Sequence, residues 1–124
     1  MSRHYPGLAP IDAYGRGGFG FAGMSHRGAL LVLPSGIHAW SPDPAALTAA
    51  DFALVLAEAA AIDLVIIGMG HAMARPPQAV RAALAAAGLQ HDAMATGHAV
   101  ATYNLLLGEK RRVAAALLPV HHAP

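Results

Sequence analysis

The spacing of apolar and polar positions changes several times along the chain, and each change marks a predicted element. Residues 1–10 are polar and punctuated by proline, which predicts a loose N-terminal arm. Ile11-Asp12-Ala13-Tyr14 alternates in type, Gly15-Arg16-Gly17-Gly18 turns the chain, and Phe19-Gly20-Phe21-Ala22 sets two aromatics on one face at period two. Two short strands joined by a glycine turn follow from that pattern. Ala29-Leu30-Leu31-Val32-Leu33 is an unbroken apolar run of strand length that stops at Pro34-Ser35-Gly36, and it predicts a buried central strand. Residues 37–44 hold the single Trp and two prolines, which predicts an extended or looped connection without a helix.

From residue 48 the period becomes helical. Thr48 and Asp51 have the spacing of a capping box, with Asp in place of Glu, and Phe52, Val55, Leu56 and Ala59 share one face. A helix over about 48–60 is predicted. Asp63-Leu64-Val65-Ile66-Ile67-Gly68 is a short β-branched run and reads as a buried strand. Pro76-Pro77 opens a helix that runs to Ala87 and that Gly88 ends. Residues 89–94 take the place of a strand, and Thr96 is the predicted N-cap of a helix carrying Val100, Tyr103, Asn104 and Leu107 and stopped by Gly108. Residues 112–118 read as a strand because the run is short, follows a charged turn and stops at Pro119. The order β-β-β-α-β-α-β-α-β has no repeat and no linker, so it predicts one layered α/β domain with a mixed β-sheet over residues 11–118, followed by a flexible tail at 119–124.

Composition narrows the function classes. The chain has 124 residues, 56% of them hydrophobic and 12% charged, against about 25% charged in an ordinary soluble domain. It is too apolar for disorder and too short for two domains. With a formal charge of +1, and basic residues scattered apart from Lys110-Arg111-Arg112, it lacks a stripe that would neutralise phosphates, so nucleic acid is not an expected partner. The absence of cysteine excludes disulfides, thiol catalysis and Cys-ligated metal centres. Mean hydropathy is +0.44, but Glu58, Asp63 and Gly68-Met69-Gly70-His71 interrupt the most apolar window, so no membrane insertion is expected. Met1-Ser2-Arg3-His4-Tyr5-Pro6 has no apolar core behind it and does not read as a secretory signal, which makes a cytoplasmic protein the expectation. So few charges also predict self-association.

Candidate chemistry is sparse. Gly68-x-Gly70 follows an apolar run, as in a dinucleotide-binding turn, but Met73 stands where the third glycine belongs and the next helix begins too late. No cofactor is expected. The eight histidines include no pair at the i, i+4 spacing of a helical metal arm, so no metal site is expected either. Ser35, His38 and Asp43 are close in sequence, yet no Gly-x-Ser-x-Gly elbow is present. Thr102-Tyr103-Asn104 places polar groups in an apolar helix, where a tyrosine hydroxyl tied to the backbone and an asparagine bridging to a loop are the simplest roles, with ligand contact as the alternative. Without a recognisable catalytic constellation, the reading leans away from an enzyme.

Taken in order, Tyr14-Gly15-x-Gly17-Gly18-Phe19, the run from Leu33 to Trp40, Asp63 to Gly70, Met94-Ala95-Thr96-Gly97, Thr102-Tyr103-Asn104 and Arg111 to Leu117 resemble the Mth-domain family of unknown function across residues 11–118. The resemblance implies a three-layer α/β fold, a mixed sheet flanked by helices, and no established enzyme activity. A mitochondrial member of that family assists assembly of respiratory complex I through protein contacts. The resemblance therefore implies a bacterial, non-catalytic protein-interaction or assembly factor, with complex I subunits or assembly proteins as partners. Met69 and His71 depart from the small or hydroxyl residues of the family pattern. The alternative is a small-molecule binder or enzyme whose pocket at the strand edges is lined by Ser35, Gly68, Gly70, His71, Thr96, Tyr103 and Asn104.

Overall fold

The computed structural model describes residues 3–121. Hairpins build its first half. β2 (Ala13–Gly15), β3 (Gly18–Phe21) and β4 (Met24–Arg27) form a small antiparallel sheet. Each connecting turn has both central residues at positive φ, Arg16 and Gly17 in the first, Ala22 and Gly23 in the second, and this turn twist matches that of the strands it joins. β4 was not expected as a strand. Its residues are mostly exposed, so it carries little of the apolar signal that betrays one.

β5 (Ala29–Leu33) pairs antiparallel with β6 (Gly36–Trp40), which takes β1 (Arg3–Tyr5) on its other side. Two expectations are corrected here. The stretch after Ser35 is extended as predicted, but through Trp40 it is a strand inside the main sheet rather than a connection. Residues 3–10 are not a loose arm, because β1 is part of the sheet and Ala9 is buried; Met1 and Ser2 lie outside the described residues. At the other end, Val120 is buried and its carbonyl accepts the Gly17 N–H at 2.6 Å, so the start of the expected tail is packed against the first hairpin. Residues 122–124 lie outside the described residues.

From residue 48 the element order is the predicted one. The Thr48–Asp51 capping box closes and starts a 3₁₀ turn at Ala49–Phe52, which leads into α1 (Ala53–Ala57) and a second 3₁₀ turn at Ala59–Ala61. β7 (Leu64–Gly68), α2 (Gln78–Ala86), β8 (Gln90–Met94), α3 (Thr96–Gly108) and β9 (Val113–Leu117) complete the chain.

The six-stranded sheet has the order β1-β6-β5-β9-β7-β8, with β9, β7 and β8 parallel and the remaining pairs antiparallel. The chain steps outward from β7 to β8 through α2, then back past β7 to β9 through α3. Crossovers of one hand made in opposite directions place their helices on opposite faces. Accordingly Leu31, Leu33, Val65, Ile67, Ala114 and Ala116 cluster with Phe52 and Val55 of the α1 region and Val80 and Leu84 of α2. Leu30, Val32, Ile66, Ala115 and Leu117 cluster with Ala99, Val100 and Tyr103 of α3 and with Phe19 and Phe21 of the small sheet. The result is a three-layer α/β fold with a mixed sheet at its centre. No helix among the described residues is long and apolar enough to cross a membrane.

Candidate functional site

In open α/β sheets, ligands sit at the carboxyl ends of the parallel strands, where successive crossovers diverge. Here that place is the end of β7, between β8 and β9. Gly68 ends β7, and a Cβ at that position would lie 2.9 Å from Thr96 Oγ1, 3.1 Å from Leu117 Cδ2 and 3.2 Å from Ala99 Cβ. Glycine is what lets α3 come down onto the strand. Gly70, at φ +94°, then turns the chain away.

Thr96 fills the crevice so formed. It is fully buried; its hydroxyl donates to the Leu118 carbonyl at 2.6 Å and accepts the Gly70 N–H at 2.9 Å, while its own N–H donates to the Gly70 carbonyl at 2.8 Å. This corrects the expected N-cap role. Ala95 occupies the cap position, and Thr96, the first helical residue, turns its hydroxyl toward the sheet instead of the helix. The backbone donor of Gly70 is already engaged by the protein's own side chain.

Other candidate residues stand apart from this centre. Tyr103 is seven residues along α3 from Thr96, roughly 10 Å at the helical rise. Its buried hydroxyl donates to the Ala9 carbonyl at 2.8 Å, and burial pushes that hydroxyl above its ordinary pKa. Asn104 accepts the Ile11 N–H at 2.9 Å and donates to the Ile11 carbonyl at 2.8 Å, standing in for a strand neighbour. Both side chains fasten the segment before β2, in the roles that were simplest on sequence grounds.

Ser35 lies at the opposite end of the sheet. β5 runs antiparallel to β9, with Val32 opposite Ala115, so β5 ends where β9 and β7 begin. There Ser35 Oγ donates to Glu58 at 2.5 Å and contacts His38 Nε2 at 2.9 Å. The hydroxyl stands between carboxylate and imidazole, whereas a serine nucleophile needs the imidazole in the middle. This trio ties the β5–β6 turn to the end of α1, and Asp43 takes no part in it, accepting instead from Ala45 N–H at 2.9 Å. His71 is exposed; its Nε2 accepts the His121 N–H at 3.3 Å, and the two rings lie 6.5 Å apart. Gly68, Gly70 and Thr96 thus come together, with His71 beside them, and Ser35, Tyr103 and Asn104 do not join them.

Two concavities went unnoticed in the sequence. One, of about 390 Å³, lies on the small sheet and is lined in part by Tyr14, Arg16, His26 and Arg27. The larger, of about 710 Å³, runs between α2, β8 and the connection before α2. Its only sequence signal is a helix whose outward positions are alanine, and these read equally as plain helix formers.

The chain has recognisable relatives. An outer membrane protein from Bartonella henselae has a crystal structure that superposes with a TM-score of 0.91 at 46% identity, covering 94% of this chain and 99% of that one. A Mth938-like domain from Bordetella pertussis superposes with a TM-score of 0.72 at 27% identity, covering 99% and 95%. The mouse NADH dehydrogenase [ubiquinone] 1 alpha subcomplex assembly factor 3 is 28% identical over 120 residues, which are 96% of this chain and 65% of the mouse protein. The profile of the protein family of unknown function DUF498/DUF598 matches residues 11–118. That span takes in the Gly68–Thr96 contact and the α3 side chains that fasten residues 9–11, and the chain belongs to this family, with its Mth938-like fold.

Proposed function

We propose that this protein is a non-catalytic, cytoplasmic protein-interaction factor acting in the assembly of respiratory complex I. The observation that carries the non-catalytic part is the closed crevice at the end of β7: the Thr96 hydroxyl takes the Gly70 N–H and reaches the Leu118 carbonyl, where a ligand would otherwise bind. The assembly role is supported by similarity to the mouse assembly factor over nearly the whole of this chain. Its partners on this reading are complex I subunits or other assembly proteins, met away from the crevice at the end of β7, and a second copy of the chain is a further partner.

Deleting the gene and resolving membrane complexes on native gels tests the reading. The expected result is less fully assembled complex I and more partial complex, restored by the wild-type chain and by a Gly70→Ala variant that folds. Unchanged complex I in the deletion strain contradicts it.

A further inference from the structure

β8 ends the six-strand order, so only its inner side is paired, with β7 through five residues from Gln90 to Met94. No strand among the described residues covers its outer side. An uncovered edge offers alternate N–H and C=O groups to any extended chain laid beside it. Here the edge opens into the groove of about 710 Å³, so an incoming strand would lie beside a helix and within a channel. Five strand residues span roughly 17 Å, the length of a short peptide segment.

The groove is kept open by small residues. Ala82 and Ala85 of α2 and Ala93 of β8 line it, and Met73, at 76% exposure, stands in the connection beside it with a side chain that adapts to varied apolar partners. Its charge is one-sided. Arg75 and Arg81 belong to the lining, and Arg81 Nε is held by the Pro76 carbonyl at 3.0 Å. Asp92 supplies the lone carboxylate in the lining, but its parallel partner Ile66 belongs to the cluster under α3, so its side chain lies on the other face of the sheet. Ala93, opposite Ile67, packs on the α2 side with the groove.

We propose that this groove docks an extended segment of a protein partner, which adds as a strand to β8 and bears carboxylate side chains that meet Arg75 and Arg81. Main-chain hydrogen bonds supply the binding, and the side chains that alternate onto the groove face supply the choice: carboxylates there meet Arg75 and Arg81 above the alanine floor, and the intervening side chains point to the other face of the sheet. This rests on the protein-partner reading above and names the surface and chemistry of that partner.

The test uses the full chain and two synthetic six-residue peptides, one alternating valine and glutamate, the other valine and lysine. The acidic peptide binds at least tenfold more tightly than the basic one, and hydrogen exchange slows at β8 amides. Arg75→Glu weakens its binding at least tenfold, and Ala85→Trp, an exposed helix position that leaves the core intact, blocks the groove. Equal binding of both peptides, no binding at millimolar peptide, or protection at β1 or β4 instead of β8 overturns the proposal. So does a dimer with protected β8 edges before peptide is added, since the occupant would then be a second copy. Capture of native partners by wild type, Arg75→Glu and Ala85→Trp separates the two readings. Partners retained by all three overturn the groove alone; no partner on wild type, with peptide still bound, overturns the protein-partner reading.

Discussion

Thr96 has a hydroxyl that serves two backbone groups of different segments, and its replacement by valine keeps the shape while leaving Gly70 N–H and Leu118 C=O without that partner. Each buried group so stranded costs about 1–3 kcal/mol, so Thr96→Val is expected to lower stability by roughly 2–4 kcal/mol in urea unfolding; a loss under 0.5 kcal/mol would show that the hydroxyl is not holding the crevice shut. Gly68→Ala is expected to cost about 1–3 kcal/mol by forcing α3 off β7, as overpacked cores do. Tyr103 makes a pH prediction. Burial keeps its hydroxyl protonated above the ordinary value of about 10, so at higher pH the unfolded chain releases a proton that the folded chain retains. Stability is therefore full below pH about 10 and falls as pH rises beyond it, and Tyr103→Phe is expected to remove that slope. At this scale the sequence was partly legible: Tyr103 and Asn104 were readable as buried polar residues needing backbone partners, while the hydroxyl of Thr96 was assigned to its own helix because a capping pattern records only local bonds.

Among the elements, those whose own residues carry a helical period, a strand alternation or an unbroken apolar run were found, and those without such a signal were not. The Thr48–Asp51 box, the apolar run of β7 and the bounds of α2 and α3 follow from spacing a few residues long. β1 pairs with β6 far along the chain and β4 exposes most of its side chains, and a polar edge strand has no periodicity to betray it; β6 is buried and pairs with β5 across the Pro34-Ser35 turn, and the prolines that follow Trp40 made it read as a connection. β1 has a consequence for truncation. Removing residues 1–10 deletes a strand of the main sheet and the Ala9 carbonyl that Tyr103 bonds, so the shortened chain is expected to melt several degrees lower in calorimetry, where a loose arm would leave the midpoint unchanged. Thr48→Ala is expected to cost about 1 kcal/mol through loss of the cap.

At the scale of the whole molecule, the fold places helices on one face of the sheet, and a helix with a second small sheet on the other, leaving β1 and β8 as the ends of the main sheet. The layered architecture was legible because the alternation of helices and buried strands after residue 48 admits few arrangements. The seven-residue pocket was not a single place: Ser35 was grouped with Gly68 by residue type, and the antiparallel register of β5 on β9 carries it to the far end of the sheet. Residue type indicates which chemistry is available, and only pairing between distant strands decides where it is delivered. The central claim concerns what this surface binds, and affinity capture of the tagged chain from its own cells at native expression, with an untagged control and mass spectrometry, tests it most directly. Reproducible enrichment of complex I subunits or assembly proteins is the predicted result, and recovery of the chain by itself, in cells that are assembling complex I, would contradict it.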